Sequence, residues 1–252
     1  MNDEDLLALA DDLAQRAGAA ILAIRTRGFD TLIKADASPV TEADHAAEAI
    51  ILAGLRAATP DIPVIAEEES AAGRQVASGP EFWLVDPLDG TREFTAGRDE
   101  FTVNIGLIRN GSPVLGVVGV PALGETFGGI VGQGAWKRTA AGQQPIHTRA
   151  PPPEGLTVMA SRHHAGGPEL TEFLAGRPIA ELTNIGSSLK FCRMAEGKVD
   201  LYPRLGRTME WDTAAAHAVL EAAGGKLSRM DGTPLHYGKP GFENPPFVCT
   251  GS

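Results

Sequence analysis

Residues 82–94 read FWLVDPLDGTREF, an apolar run that delivers two aspartates, Asp86 and Asp89, within four residues. Phe82–Val85 has the aromatic and β-branched character of a buried strand. Pro87 presets its own φ and Gly90 tolerates a positive one, so Asp86-Pro87-Leu88-Asp89-Gly90 is expected to leave the strand as a rigid turn. That turn would bring both carboxylates to one point, with the Leu88 carbonyl between them. Hard oxygen donors grouped in this way suit Mg²⁺. Gly90-Thr91 add backbone N–H groups and a hydroxyl where a phosphate would sit. Further acidic positions, Asp44, Glu67-Glu68 and Asp212, fall at expected strand ends or helix starts. Singly, each has a structural explanation: Asp44 as the third residue of a capping box, Asp212 as a helix N-terminal residue favoured by the dipole, the Glu run as a solvated face. Taken with Asp86 and Asp89, Glu67 and Asp212 would complete a site for two ions.

Upstream, Leu6, Ala10, Leu13, Ala17, Ile21 and Ile24 recur every three or four residues, which predicts an amphipathic helix stopped near Gly28. Thr41-Glu42-Ala43-Asp44 starts a second helix running towards Leu55. Downstream, Phe101–Ile108 and Val114–Val120 joined through Asn110-Gly111 predict a β-hairpin, and Glu125–Ile130 with Ala135–Arg138 another. Pro151-Pro152-Pro153 is the expected boundary between an α+β half, 1–150, which holds most of the acidic groups, and an α/β half, 151–252. In the second half Leu156–Ala160, Ile179–Thr183 and Val199–Tyr202 alternate with helices near Pro168–Ala175, Ser187–Glu196 and Asp212–Ala223. Strands at Lys226–Ser228 and Phe247–Thr250 finish the chain. The expected fold class is α+β and α/β in alternating layers, the two halves sharing a cleft.

The chain has 252 residues with 22 Lys+Arg against 32 Asp+Glu, a net charge of −10. That acidity argues against a nucleic-acid groove or an anionic membrane surface as partner. An anionic substrate would therefore need a metal to receive it. Cys192 and Cys249 lie far apart, without CxxC spacing, and read as reduced thiols. The longest apolar stretches fall short of the ~18 residues of a membrane span, and the acidic N-terminal stretch is unlike an export signal. A cytoplasmic location is expected, with peripheral association with the inner membrane left open.

The motif WLVDPLDGTREF with its preceding Glu pair, together with WDTAAAHAVLEAAGG at 211–225, resembles the two signatures of the inositol monophosphatase superfamily, whose members are Mg²⁺-dependent, lithium-sensitive phosphatases. The resemblance runs from SPVTEAD at 38–44 nearly to the C-terminus and implies the layered sugar-phosphatase fold. Within that superfamily, Glu93-Phe94, the segment GSSLKFCRMAEGKVDLYPRLG at 186–206 and Ser161-Arg162-His163-His164 are similar to the 3'(2'),5'-bisphosphate nucleotidase branch. Ala216 departs from the usual Gly and bears on packing beneath a sugar or base.

The resemblance implies that Glu67, Asp86 and the Leu88 carbonyl bind one Mg²⁺ and that Asp86, Asp89 and Asp212 bind a second. A third ion near Glu67 is left open. It implies a water oriented by Thr91, with Asp44 acting through that hydroxyl as base and Glu67 beside it; Glu68 stands between a direct role and none. Gly90, Thr91 and Asp212 would meet the substrate at the reacting phosphate. Ser187, Lys190 and Arg204 would hold the other phosphate, joined by one of His163 and His164. A substrate with two phosphates needs one held by metal and one by charge-assisted hydrogen bonds. The structural alternatives are a solvated helix face for Lys190, a turn-anchoring ion pair for Arg204 and an N-cap for Ser187. The expected reaction releases the 3'(2')-phosphate of adenosine 3'(2'),5'-bisphosphate to leave AMP, the sulfated nucleotide being a second substrate, and the enzyme would serve sulfur assimilation. An inositol or other sugar monophosphatase is the runner-up. A cation-binding regulator without catalysis would not require the Asp44/Thr91 pair. The expected partner is a small nucleotide bisphosphate, with no nucleic acid and no membrane-spanning segment, in a monomer or homodimer.

Overall fold

The structure, a computed structural model, describes residues 1–34, 38–161 and 167–251. Among the described residues the chain runs α1 (Asp3–Arg27), β1 (Thr31–Ile33), β2 (Pro39–Thr41), α2 (Glu42–Ala58), β3 (Val64–Ala66), α3 (Glu67–Ala71), β4 (Glu81–Asp89), α4 (Thr91–Thr95), β5 (Thr102–Arg109), β6 (Ser112–Val120), β7 (Glu125–Ile130), β8 (Gly134–Thr139) and β9 (Gly142–Ile146). It continues through β10 (Leu156–Ser161), α5 (Pro168–Leu174), β11 (Ile179–Ile185), α6 (Leu189–Ala195), β12 (Leu201–Arg204), β13 (Thr208–Met209), α7 (Ala214–Ala222), β14 (Lys226–Arg229), β15 (Glu243–Asn244) and β16 (Phe247–Thr250).

α1 buries Leu6, Ala10, Leu13, Ala17, Ile21 and Ile24, the residues its periodicity singles out. Asn2 and Asp5 close a reciprocal capping box at its start, and Gly28, at φ 87°, ends it. α2 opens on the expected box, Thr41 with Asp44. Strands β3 to β9 form one sheet in sequence order. β3 and β4 are parallel, and the remaining neighbours are antiparallel. Asn110, at φ 52°, and Gly111, at φ 76°, turn the β5–β6 hairpin. The hairpin β1–β2 and the polar edge strand β9 carry no alternation that marks them in the sequence.

This sheet is buried on both faces, and the two-residue period of its strands sorts side chains between two clusters. Trp83, Val85, Val103, Ile105, Leu107, Leu115 and Val117 pack with α1 and α2. Phe82, Leu84, Val118, Val120 and Phe127 face the other way, onto α6 and α7. Beyond α6 and α7 lies the second sheet, in the order β11-β10-β12-β16-β14. It contributes Met159, Tyr202, Leu227, Phe247 and Cys249 to that same cluster. The layers are therefore helix, sheet, helix, sheet.

Two glycines set how closely α7 lies on the first sheet. A Cβ at Gly116 would stand 2.2 Å from the Ala215 carbonyl oxygen, and one at Gly106 would stand 2.6 Å from the Ala215 nitrogen. Ala216 is wholly buried in this packing. It packs on the core side of the helix and does not itself line the substrate cleft described below. Gly116→Ala should push α7 off the sheet and lower stability by about 1–3 kcal/mol. The readout is a lower urea midpoint at unchanged m-value; an unchanged midpoint would mean that helix and sheet part without cost.

Candidate active site

The expected turn at Asp86-Pro87-Leu88-Asp89 is instead a bulge within a continuous strand. β4 runs through to Asp89, with Asp86 opposite Asn104 and Asp89 opposite Thr102. Three steps on β4 thus match two on β5, so β4 carries one extra residue. In a regular strand, residues three apart point to opposite faces; the extra residue returns Asp89 to the face of Asp86. Pro87, which has no N–H to give a ladder, is accommodated at the irregularity.

Glu67 arrives beside this pair by register. β3 pairs parallel with β4, Ala66 opposite Val85, so the next residues of each strand, Glu67 and Asp86, leave side by side. Asp212 comes from the other half of the chain, at the end of a short 3₁₀ turn, where its carboxylate accepts the Met209 N–H at 2.8 Å. Asp86 accepts the Leu88 N–H at 3.0 Å, and Asp89 accepts the Ser188 N–H at 2.5 Å. Burial, followed by the neighbouring charges of Glu67, Asp89 and Asp212, pushes Asp86 well above the usual carboxylate range. Burial and the same neighbours do so for Asp212. Asp89 is pushed by burial to about 6, against the pull of Lys190 and the Ser188 N–H.

The described residues hold no three such donors already gathered for one ion, yet Glu67 lies close enough to help raise the pKa of Asp86, Asp89 and Asp212. A buried, mutually repelling set of hard oxygen donors from separate segments fits a divalent cation of the Mg²⁺ kind. The Leu88 carbonyl lies at the same place, 3.1 Å from Thr91 Oγ1. That hydroxyl is also 3.1 Å from Asp44 Oδ1. The other Asp44 oxygen accepts the Thr41 N–H at 2.7 Å and the Thr41 hydroxyl at 2.8 Å. Asp44 is thus both cap and Thr91 partner, and its burial raises its pKa despite the Thr41 donors.

A cleft leads away from Asp89 and Asp212, lined by Gly90, Glu93, Gly186, Ser187, Lys190, Tyr202 and Arg204. Gly90 stands at φ 93°, a left-handed position that aims the following backbone N–H groups. Lys190 is buried rather than on a solvated face. Its ammonium donates to the Ser187 carbonyl at 2.6 Å and the Ile185 carbonyl at 3.1 Å and lies over the Tyr202 ring. Burial pushes it down to about 8, with Asp89 opposing. Arg204 donates to the Arg207 carbonyl at 2.9 Å, while its buried Nε has no hydrogen-bond partner among the described residues. The N-cap position of α6 falls to Ser188, which makes no side-chain cap bond, while the Ser187 hydroxyl accepts the Leu189 N–H at 3.3 Å from a residue at φ 52°, a conformation uncommon outside glycine. His163 and His164 lie outside the described residues. Of the flanking tryptophans, Trp83 is buried and donates to Thr59 Oγ1 at 3.2 Å, while Trp211 lines a wider opening on the Glu67 side of the cluster.

Two residues here escape a reading of the sequence. Lys34 reaches from the β1–β2 hairpin to Glu67 at 2.8 Å and Glu68 at 2.6 Å. Burial works against its charge, but the two glutamates outweigh burial and raise its pKa. Glu48, one helical turn after Asp44 on α2, accepts the Glu68 N–H at 2.8 Å and the Glu69 N–H at 3.0 Å. Burial pushes Glu48 to about 7 against those two donors, and burial with Glu67 alongside pushes Glu68 to about 7 despite Lys34. Only the spacing of Asp44 and Glu48, i and i+4, hints at a shared face; a lone glutamate on a helix otherwise reads as solvated. Because Glu48 holds the first turn of α3, Glu48→Ala should destabilise the fold by about 1–3 kcal/mol. It should also weaken calorimetric Mg²⁺ binding, with Glu48→Gln in between. Unchanged Mg²⁺ affinity in both variants would confine Glu48 to stability.

The description of the inositol monophosphatase family matches residues 2–246. An Escherichia coli protein named 3'(2'),5'-bisphosphate nucleotidase CysQ is 47% identical over 239 residues, 93% of this chain and 95% of the relative. The protein of that name from Salmonella typhimurium is 46% identical over 242 residues, 94% of this chain and 96% of its own. The crystal structure of CysQ from Bacteroides thetaiotaomicron, described as a bacterial member of the inositol monophosphatase family, superposes with a TM-score of 0.84 at 35% identity, covering 99% of this chain and 98% of that one. An inositol monophosphatase from Anabaena gives 0.78 at 29% identity, covering 99% and 92%. With the layered fold and the carboxylate cluster already in place, these matches show that the chain belongs to the inositol monophosphatase family.

Proposed function

We propose that the protein is a Mg²⁺-dependent phosphomonoesterase that removes the 3'(2')-phosphate of adenosine 3'(2'),5'-bisphosphate, giving AMP and phosphate. The observation that carries this reading is the second anion subsite. Lys190 and the Nε of Arg204, unpartnered among the described residues, line the same cleft as Asp89 and Asp212. A donor buried without a partner is costly to leave unmade, and a second phosphate would satisfy it. The nearly full-length likeness to proteins named for this activity supports the same assignment.

Glu67, Asp86 and the Leu88 carbonyl would hold one Mg²⁺, and Asp86, Asp89 and Asp212 the other. When bound, such ions offset phosphate charge and favour both the entering and the departing oxygen of an in-line displacement. The chain's own residues do the remaining work. Thr91 orients the attacking water through its hydroxyl, and Asp44, 3.1 Å from that hydroxyl, draws the proton away through it. Gly90 and Thr91 present backbone N–H groups to the reacting phosphate, and Asp212 meets the sugar beside it. Ser187, Lys190 and Arg204 hold the 5'-phosphate, joined by one of His163 and His164. The halves 1–150 and 151–252 would then divide the labour, the first holding the water and most metal ligands, the second the nucleotide. The enzyme would act in the cytoplasm as a monomer or homodimer; no helix among the described residues is long and apolar enough to cross a membrane.

Phosphate release at fixed Mg²⁺ from adenosine 3',5'-bisphosphate and inositol 1-phosphate tests the reading. A clear preference for the nucleotide supports it, and a preference for inositol phosphate overturns it. Lys190→Ala should lower kcat/KM for the bisphosphate by roughly ten- to a hundredfold, with little effect on adenosine 3'-monophosphate; equal losses on both would remove the 5'-phosphate role. Since the Lys190 ammonium is lost as pH rises through about 8, kcat/KM for the bisphosphate should fall above that pH. The same fall should be absent in Lys190→Ala.

A further inference from the structure

Glu93 is a buried carboxylate that the roles above leave unused. It lies on α4 immediately after Thr91-Arg92, is only 6% exposed, and lines the cleft alongside Asp89, Gly90 and Lys190. Its side chain rests flat against Gly186: a Cβ there would stand 2.6 Å from both Cγ and Cδ of Glu93 and 2.8 Å from Oε1. Only glycine leaves this space, and the packing fixes the direction of the carboxylate. No hydrogen-bond donor among the described residues reaches the carboxylate, and its oxygens are not among those sealed from solvent without a partner. Its open surface faces the cleft it lines.

A carboxylate beside two phosphate subsites repels any phosphate ligand unless that ligand brings it a donor. Its place along the cleft narrows the choice. Asp89 and Gly90 would receive the reacting phosphate and Lys190 and Arg204 the other, and Glu93 lines the same cleft near both, its charge acting on Asp89 and on Lys190 alike. The sugar joins the two phosphates, so it is the part of the substrate that meets Glu93. In a ribose 3'-phosphate the donor nearest the reacting group is the 2'-hydroxyl; in a 2'-phosphate it is the 3'-hydroxyl. We infer that Glu93 accepts a hydrogen bond from the hydroxyl vicinal to the scissile phosphate and thereby selects ribonucleotide over deoxyribonucleotide substrates. This inference rests on the nucleotidase reading and names the part of the substrate that reading leaves open.

The test compares adenosine 3',5'-bisphosphate with its 2'-deoxy analogue on the full-length protein and on Glu93→Gln and Glu93→Ala. Calorimetric Mg²⁺ titration of each variant checks that the carboxylate cluster is intact. The unaltered protein should favour the ribonucleotide in kcat/KM by roughly ten- to a hundredfold, the range expected when a site built for a hydroxyl meets a substrate lacking it. Glu93→Ala should bring the two substrates within about threefold of each other, and Glu93→Gln, which keeps a neutral acceptor, should fall between. An unaltered protein indifferent to the 2'-hydroxyl overturns the inference, as does a variant that loses activity on both substrates by the same factor. Failure of the unaltered protein to hydrolyse either nucleotide overturns the nucleotidase reading itself, and this inference with it.

Discussion

Mutual repulsion among Asp86, Asp89, Asp212 and Glu67 is the constraint to which the rest of the molecule answers. Four carboxylates held close in a buried place resist one another, and the raised pKa values of Asp86, Asp89 and Asp212 record that resistance. Only a scaffold that cannot yield can keep them there. The sheet buried on both faces supplies it. Parallel pairing of β3 with β4 sets Glu67 beside Asp86, the Ser188 N–H restrains Asp89, and the close seating of α7 on Gly106 and Gly116 fixes the segment that follows Asp212. The smaller polar contacts extend this restraint. Glu48 ties α2 to α3, and Asp44 ties α2 to Thr91. One face of one helix therefore sets the position of two parts of the site.

The cleft shows the complementary problem, cations kept out of water. Lys190 is surrounded by carbonyls and an aromatic face rather than by a carboxylate partner of its own. Arg204 spends one nitrogen on a backbone carbonyl and leaves another buried without a partner among the described residues. Neither arrangement is what stability alone would select, since unpaired buried charge destabilises a fold. Both make sense where an anion is to be received.

Much of this was legible in the order of residues. The heptad-like spacing of α1, the capping box of α2 and the Asn-Gly hairpin are local signals, and local signals survive in a string of letters. The acidic motifs carried the family because their spacing is itself local. What stayed hidden was set by partners far away in sequence. Lys34 and Glu48 gain their meaning only when α3 folds against them. The burial of Lys190 follows from Tyr202 and the second sheet, and the capping position of α6 from a backbone twist at Ser187 that its side chain does not announce. Asp-Pro-Leu-Asp misled for a physical reason: the residues that favour a turn also favour a bulge, and only the neighbouring strand β5 decides between them.

That bulge makes backbone register a constraint beside the chemistry at this point. A strand is a two-phase register, and the extra residue in β4 shifts its phase once, between Asp86 and Asp89. Running the same residues as a regular strand would restore the alternation and turn the second aspartate to the face packed on α1 and α2, whereas removing one residue would keep both aspartates on one face but lose the bulge. Conservative replacement of Pro87 or Leu88 leaves the phase alone. Leu88 answers to two constraints at once, since its backbone forms part of the irregularity while its side chain is buried in the cluster packed on α1 and α2.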